Sequence, residues 1–251
     1  MLPEQPSQRI QSQVAQDATP PGFLTTGRVE AFSDGVFAVA ITLLVLNLQL
    51  PANPGSLPAI LLHLWPKFLI YALSFVIVGI YWVGHHNTFH YIQRTDRILL
   101  WLNILLLLFI VFIPFPTALV GEYGITGTYP DAQIAIGMYG GTLIATGCVL
   151  ETLWLYATHH HRLVEHTIDP QLVQRATRRN LMGPSIYLVA IGLSFLPFLG
   201  PWISLLCFIL VPVLYIMPGR IDIHWTPRHL HKIEDAPAQK PYKDARRITG
   251  E

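Results

Sequence analysis

The sequence predicts an all-α integral membrane protein with six transmembrane helices in each subunit. Three observations lead there. The 251-residue chain is 52% hydrophobic and only 12% charged, with a mean hydropathy of +0.44, whereas soluble domains carry about 25% charged residues. Six apolar stretches approach the ~20 residues needed to cross a bilayer. The basic residues fall in alternate connections between those stretches. A net charge of +1 gives no reason to expect nucleic acid as a partner.

Residues 1–27 are rich in Gln, Pro, Thr and Ser, with Arg9 as their one basic residue. They lack a signal-peptide pattern and are expected to form a disordered cytoplasmic N-terminal tail. Residues 28–218 are expected to form one six-helix transmembrane domain. Its spans are Phe32–Leu50, Leu64–Val83, Leu99–Val120, Ile134–Ala157, Met182–Leu199 and Trp202–Met217. The last two are short and joined by Gly200-Pro201, which predicts a tight helical hairpin. Residues 219–251 are charged and contain prolines, as expected of a cytoplasmic C-terminal tail.

Fifteen of the sixteen lysines and arginines lie at the N-terminus, between spans two and three, between spans four and five, or after span six. Cytoplasmic connections collect Lys and Arg. The pattern therefore places both termini in the cytoplasm and requires an even number of spans. The exception, Lys67, sits inside the second apolar stretch, where a long side chain can snorkel to the interface. Cys148 and Cys207 both lie in apolar runs and read as small hydrophobes, not as a disulfide or a thiolate metal site.

The first span carries the most pattern. At about 100° per residue, Arg28, Phe32, Gly35, Val39, Thr42 and Leu46 form one stripe. It is apolar but for Arg28 at its start and the Thr42 hydroxyl, and Leu43 lies at its edge. Asp34 lies about 140° from Val39, and Ser33 about 120° away on the other flank. An ionisable group at membrane depth faces protein or a water-filled cavity and has a partner. Arg28 and His85 are the candidates for Asp34.

Arg28-x-x-x-Phe32-Ser33-Asp34, followed by Ala40-Ile41-Thr42-Leu43-Leu44-Val45-Leu46, resembles the signature first helix of the transmembrane protein 175 family of potassium channels. Trp82-Val83-Gly84-His85 resembles the end of that family's second helix, and Asn103 with Ile113-Pro114-Phe115 its third. The resemblance covers residues 28–120. It implies a bacterial single-repeat member: a homotetramer in the plasma (inner) membrane, with the pore lined by the first helix of each subunit. It implies permeant potassium ions, weak selectivity over sodium, no cofactor, and no carbonyl selectivity filter. It places the constriction at Val39, further aliphatic gate layers at Leu43 and Leu46, and potassium preference at Thr42. Valine departs from the Ile or Leu usual at that constriction. Arg28, Phe32, Ser33, Asp34 and His85 are expected to form a structural polar network that holds the pore helix to its own subunit. Val120-Gly121-Glu122-Tyr123-Gly124 has a superficial likeness to a carbonyl filter, but carries an inserted Glu and is expected in an external loop.

Two rivals stand beside this reading. His86 and His90 are spaced i, i+4, and His159-His160-His161 cluster near His166; imidazoles bind zinc or iron. The spaced histidine boxes of a membrane metal enzyme are missing, so neither an enzyme nor a resident metal is expected. A secondary ion or solute transporter would show inverted repeats and a polar midplane site. Pro114 and Pro116 could break span three, but no polar midplane cluster accompanies them.

Overall fold

The computed structural model describes residues 25–50, 55–124, 128–159, 162–164, 168–196 and 199–216. Among these, the regular structure is helical apart from one isolated antiparallel bridge between Ile92 and Val164. Residues 1–24 of the expected N-terminal tail, the whole expected C-terminal tail, and His160, His161 and His166 lie outside the described residues, whereas Thr26 and Gly27, expected in the tail, already belong to the first helix.

Among the described residues, six helical segments stand where six spans are expected. Helix α1 (Thr26–Leu43) tightens into a 3-10 turn over Leu44–Asn47. Helix α2 runs Leu57–Tyr91. The third segment is broken into α3 (Arg97–Phe112) and α4 (Pro114–Tyr123). Then follow α5 (Tyr129–Thr158), α6 (Pro170–Leu193) and α7 (Gly200–Ile216). Among the described residues, four stretches are long and apolar enough to cross a membrane by length and composition: Thr26–Asn47, Leu57–Tyr91, Arg97–Tyr123 and Tyr129–Thr158. Helix α7 is apolar but shorter, at 17 residues.

The observed helices overrun the apolar stretches. At 1.5 Å per residue, the 35 residues of α2 extend about 52 Å, well beyond a hydrocarbon core of about 30 Å. Helix α6 begins twelve residues before Met182, because its first three turns carry Arg175, Arg178 and Arg179. Hydropathy detects the part of a helix that suits lipid, whereas backbone hydrogen bonding continues past it. Asp96 and Asp169 cap α3 and α6, accepting from Leu99 N at 2.8 Å and Gln171 N at 2.9 Å.

The α3–α4 break follows from proline chemistry. Pro114 has no N–H to give the Ile110 carbonyl. Ile113 N instead reaches the Phe109 and Ile110 carbonyls, at 3.2 and 3.3 Å. A new helix starts at Pro114, a position that tolerates the missing donor. It runs on through Val120-Gly121-Glu122-Tyr123, so this stretch is helical and not the external loop expected from sequence. Glu122 of that helix forms an ion pair with Lys67 of α2.

Helix α5 packs against α3, α4 and α6, while α1 lies against α2 and α3. Close approach of α6 to α5 depends on glycine. A Cβ on Gly147 would sit 2.7 Å from Pro184 Cγ, and one on Gly140 would sit 2.8 Å from Ile191 Cγ1. At the end of the bundle that carries Arg94, Arg97 and Arg162, the connections before α3 and after α5 clasp each other. Gln93 N donates to Leu163 O at 2.9 Å beside the Ile92–Val164 bridge. Beneath this clasp Val29 of α1 packs with Phe89, Leu99, Leu153 and Ala157.

Candidate functional site

Helix α1 has two unlike faces. Val29, Ser33, Phe37, Ala40 and Leu44 are buried, at spacings of four, four, three and four. Arg28, Phe32, Gly35, Val39, Thr42 and Leu46 are exposed, so the stripe picked out in the sequence faces away from the subunit core. Val39 is 54% exposed and Phe32 62%. Leu43 is half-buried at the stripe's edge.

Thr42 is the hydroxyl on this apolar stripe. Its Oγ1 donates to the Val39 carbonyl at 2.8 Å. The hydroxyl hydrogen is thereby used within the helix, and the oxygen keeps its acceptor lone pairs. One turn on, Asn47 Nδ2 donates to Pro114 O at 2.9 Å and fastens the end of α1 to the α3–α4 break.

The opposite face is locked by a polar chain across three helices. Ser33, fully buried, donates to Val29 O at 2.8 Å. Its oxygen then accepts from Asn103 Nδ2 at 2.9 Å. That orients the amide so that Asn103 Oδ1 faces His85 Nε2, also at 2.9 Å. A carbonyl oxygen only accepts, so His85 must carry its proton on Nε2. His85 is itself fully buried, with its ring stacked on Phe89 at 4.4 Å between centroids. Its Nδ1 is buried without a partner among the described residues.

Asp34 takes neither partner expected for it. Its Oδ1 accepts from Trp82 Nε1 at 2.8 Å. His85 is already engaged by Asn103, and Arg28, six residues before Asp34, lies on the exposed stripe. Trp82 stacks on His86, whose Nδ1 meets Glu30 Oε1 at 2.8 Å. The bonded set is thus Ser33, Asn103 and His85, with Asp34–Trp82 and Glu30–His86 beside it. Among the described residues, Arg28 and Phe32 are not brought into it.

The pairings of Glu30, His86 and Asn47 were not anticipated in sequence. Asn103 had a visible signal, as the amide in the otherwise apolar Ile98–Phe112 run. Among the described residues no three His, Cys, Asp or Glu side chains converge as metal ligands do.

Residues 28–114 match the family model described as "Endosomal/lysosomal potassium channel TMEM175". A potassium channel of Chamaesiphon minutus is 42% identical over 190 residues, covering 74% of this chain and 91% of that one. A potassium channel of Streptomyces collinus is 37% identical over 172 residues, covering 68% and 82%. The crystal structure of a lysosomal potassium-selective channel TMEM175 homolog from Chamaesiphon minutus superposes with a TM-score of 0.66 at 38% identity. It covers 76% of this chain and 95% of the other. These relatives are ion channels, not enzymes. By sequence along most of its length and by fold, the chain belongs to the TMEM175 family.

Proposed function

We propose that the protein is a potassium channel, a homotetramer in the bacterial plasma membrane, with its ion path lined by the exposed face of α1 from each subunit. The observation that carries this reading is the asymmetry of α1. One face is tied to α2 and α3 by buried bonds, and the other leaves Val39, Thr42 and Leu46 exposed. Fifteen basic residues in alternate segments support cytoplasmic termini, flanking a channel domain of residues 28–218.

The physics of such a path follows from its side chains. A ring of Val39, with aliphatic layers at Leu43 and Leu46, makes a neck that cannot replace a cation's hydration shell. Apolar constrictions gate by dewetting. Four Thr42 oxygens, with their hydrogens turned to the Val39 carbonyls, would supply ligands to a partly dehydrated potassium ion. A single ring of hydroxyls discriminates less than stacked carbonyl rings, so preference over sodium should be weak. No cofactor is needed for this process.

The test is reversal-potential measurement in planar bilayers with potassium and sodium on opposite sides. Thr42→Val should lower potassium preference while leaving a conducting pore, and Val39→Asn should raise conductance by wetting the neck. Flux that saturates as coupled exchange would indicate a transporter instead. An unchanged reversal potential for Thr42→Val together with unchanged conductance for Val39→Asn would place the pore elsewhere.

A further inference from the structure

We infer that α6 carries a binding site for an anionic phospholipid, with Arg175 and Arg178 holding the headgroup phosphate. The helix has one buried side, where Gly183, Tyr187 and Ala190 lie. The other side is an exposed stripe of Gln174, Arg175, Arg178, Leu181, Ser185 and Leu188. At about 100° per residue these six fall within an arc of about 140°. The stripe changes character along its length: it is polar and cationic up to Arg178 and mainly aliphatic from Leu181 onward.

The dimensions fit a single lipid leaflet. Arg178 to Leu188 is about 15 Å of helix at 1.5 Å per residue, half the ~30 Å hydrocarbon thickness. With Leu181 and Leu188 against acyl chains, Arg178 and Arg175 reach the level of the headgroups. The charge fits as well. Arg175 Nη2 donates to Gln171 Oε1 at 3.3 Å, which steadies the guanidinium on this face. Among the described residues neither Arg175 nor Arg178 has an acidic partner within ion-pair distance. The neighbouring acids are engaged elsewhere: Asp169 caps the helix, and Glu151 accepts from Asn180 at 2.8 Å. Guanidinium groups bind phosphate oxygens with two parallel N–H bonds. A neutral zwitterionic headgroup sets a cation of its own beside its phosphate, so an anionic lipid is favoured.

The test titrates the detergent-purified protein with phosphatidylglycerol and phosphatidylcholine, counting bound lipid by native mass spectrometry. Phosphatidylglycerol should bind more tightly, and Arg175→Gln and Arg178→Gln should each weaken it by about fivefold. Arg178→Lys should fall between, since lysine keeps the charge but loses the paired bonds. Lys67→Gln, on another helix, should leave binding unchanged. Inorganic phosphate at matched concentration should not compete, because the acyl chains on Leu181 and Leu188 contribute to affinity. Equal binding of the two lipids, or full phosphatidylglycerol binding by the Arg175→Gln/Arg178→Gln double variant, overturns the inference. So does loss of oligomer in that variant at fixed lipid, which would make this face a contact between copies of the chain.

Discussion

Replacing Asn103 with alanine removes the central member of the buried polar chain, and its cost can be estimated bond by bond. Asn103 is 2% exposed and makes two interhelical bonds, to Ser33 and His85. Ser33 keeps its bond to Val29 O and loses only a donor to its oxygen. His85 fares worse. Its Nδ1 already lacks a partner among the described residues, so both ring nitrogens would be buried and unpaired. Stranding a buried polar group costs about 1–3 kcal/mol, and an interhelical bond in a membrane protein contributes about 0.6 kcal/mol on average. Together these suggest a loss of about 3 kcal/mol, or about 6–12 °C in unfolding midpoint for a domain of this size. Trp82→Phe, which removes one exposed bond to Asp34, should cost only about 0.5–1.5 kcal/mol. The assay is thermal unfolding of the detergent-solubilised protein, followed by loss of its monodisperse chromatographic peak. If Asn103→Ala shifts the midpoint no further than Trp82→Phe, the polar chain does not hold α1 and the reasoning fails.

Other expectations follow from the same contacts. Gly147→Ala should destabilise by about 1–3 kcal/mol, because the new methyl would meet the rigid ring of Pro184 at 2.7 Å; a normal unfolding midpoint would show that α6 shifts freely on α5. Asn47→Ala should loosen the end of α1 at Pro114 and increase current noise in bilayer recordings with little change in unfolding midpoint; identical open-channel noise would argue that this end is held by other contacts. Asp34→Asn keeps an acceptor for Trp82 and should assemble as the parent does, whereas Asp34→Ala should lose stability; equal midpoints for the two would remove Asp34 from the lock.

The exposed stripe of α1 was legible in the sequence because it rests on helical period alone. Ser33, Phe37 and Ala40 turn inward at the same spacing that turns Val39 and Thr42 outward. Helix limits were not legible, since hydropathy ends where charge begins. Arg175 and Arg178 therefore hid the first turns of α6, and His85, His86 and His90 hid the last turns of α2. Partners were legible only as types. A carboxylate at membrane depth predicts a donor, but choosing Trp82 over Arg28 or His85 requires knowing how α2 is rotated against α1. That rotation is set by packing among three helices, and Asn103, by claiming His85, leaves Trp82 to Asp34.

Cysteine accessibility along α1 tests the central claim most directly. In a background lacking Cys148 and Cys207, single cysteines at positions 32, 35, 39 and 42 would be exposed to a charged, membrane-impermeant methanethiosulfonate during potassium flux in liposomes. The account predicts that modification at Val39 and Thr42 blocks flux strongly and at Phe32 and Gly35 more weakly. Cysteines replacing Phe37, Ala40 or Leu44 should be untouched, since these side chains are buried against the subunit. Block at the buried positions, or unhindered flux after modification at both Val39 and Thr42, would contradict the assignment of this face to the ion path.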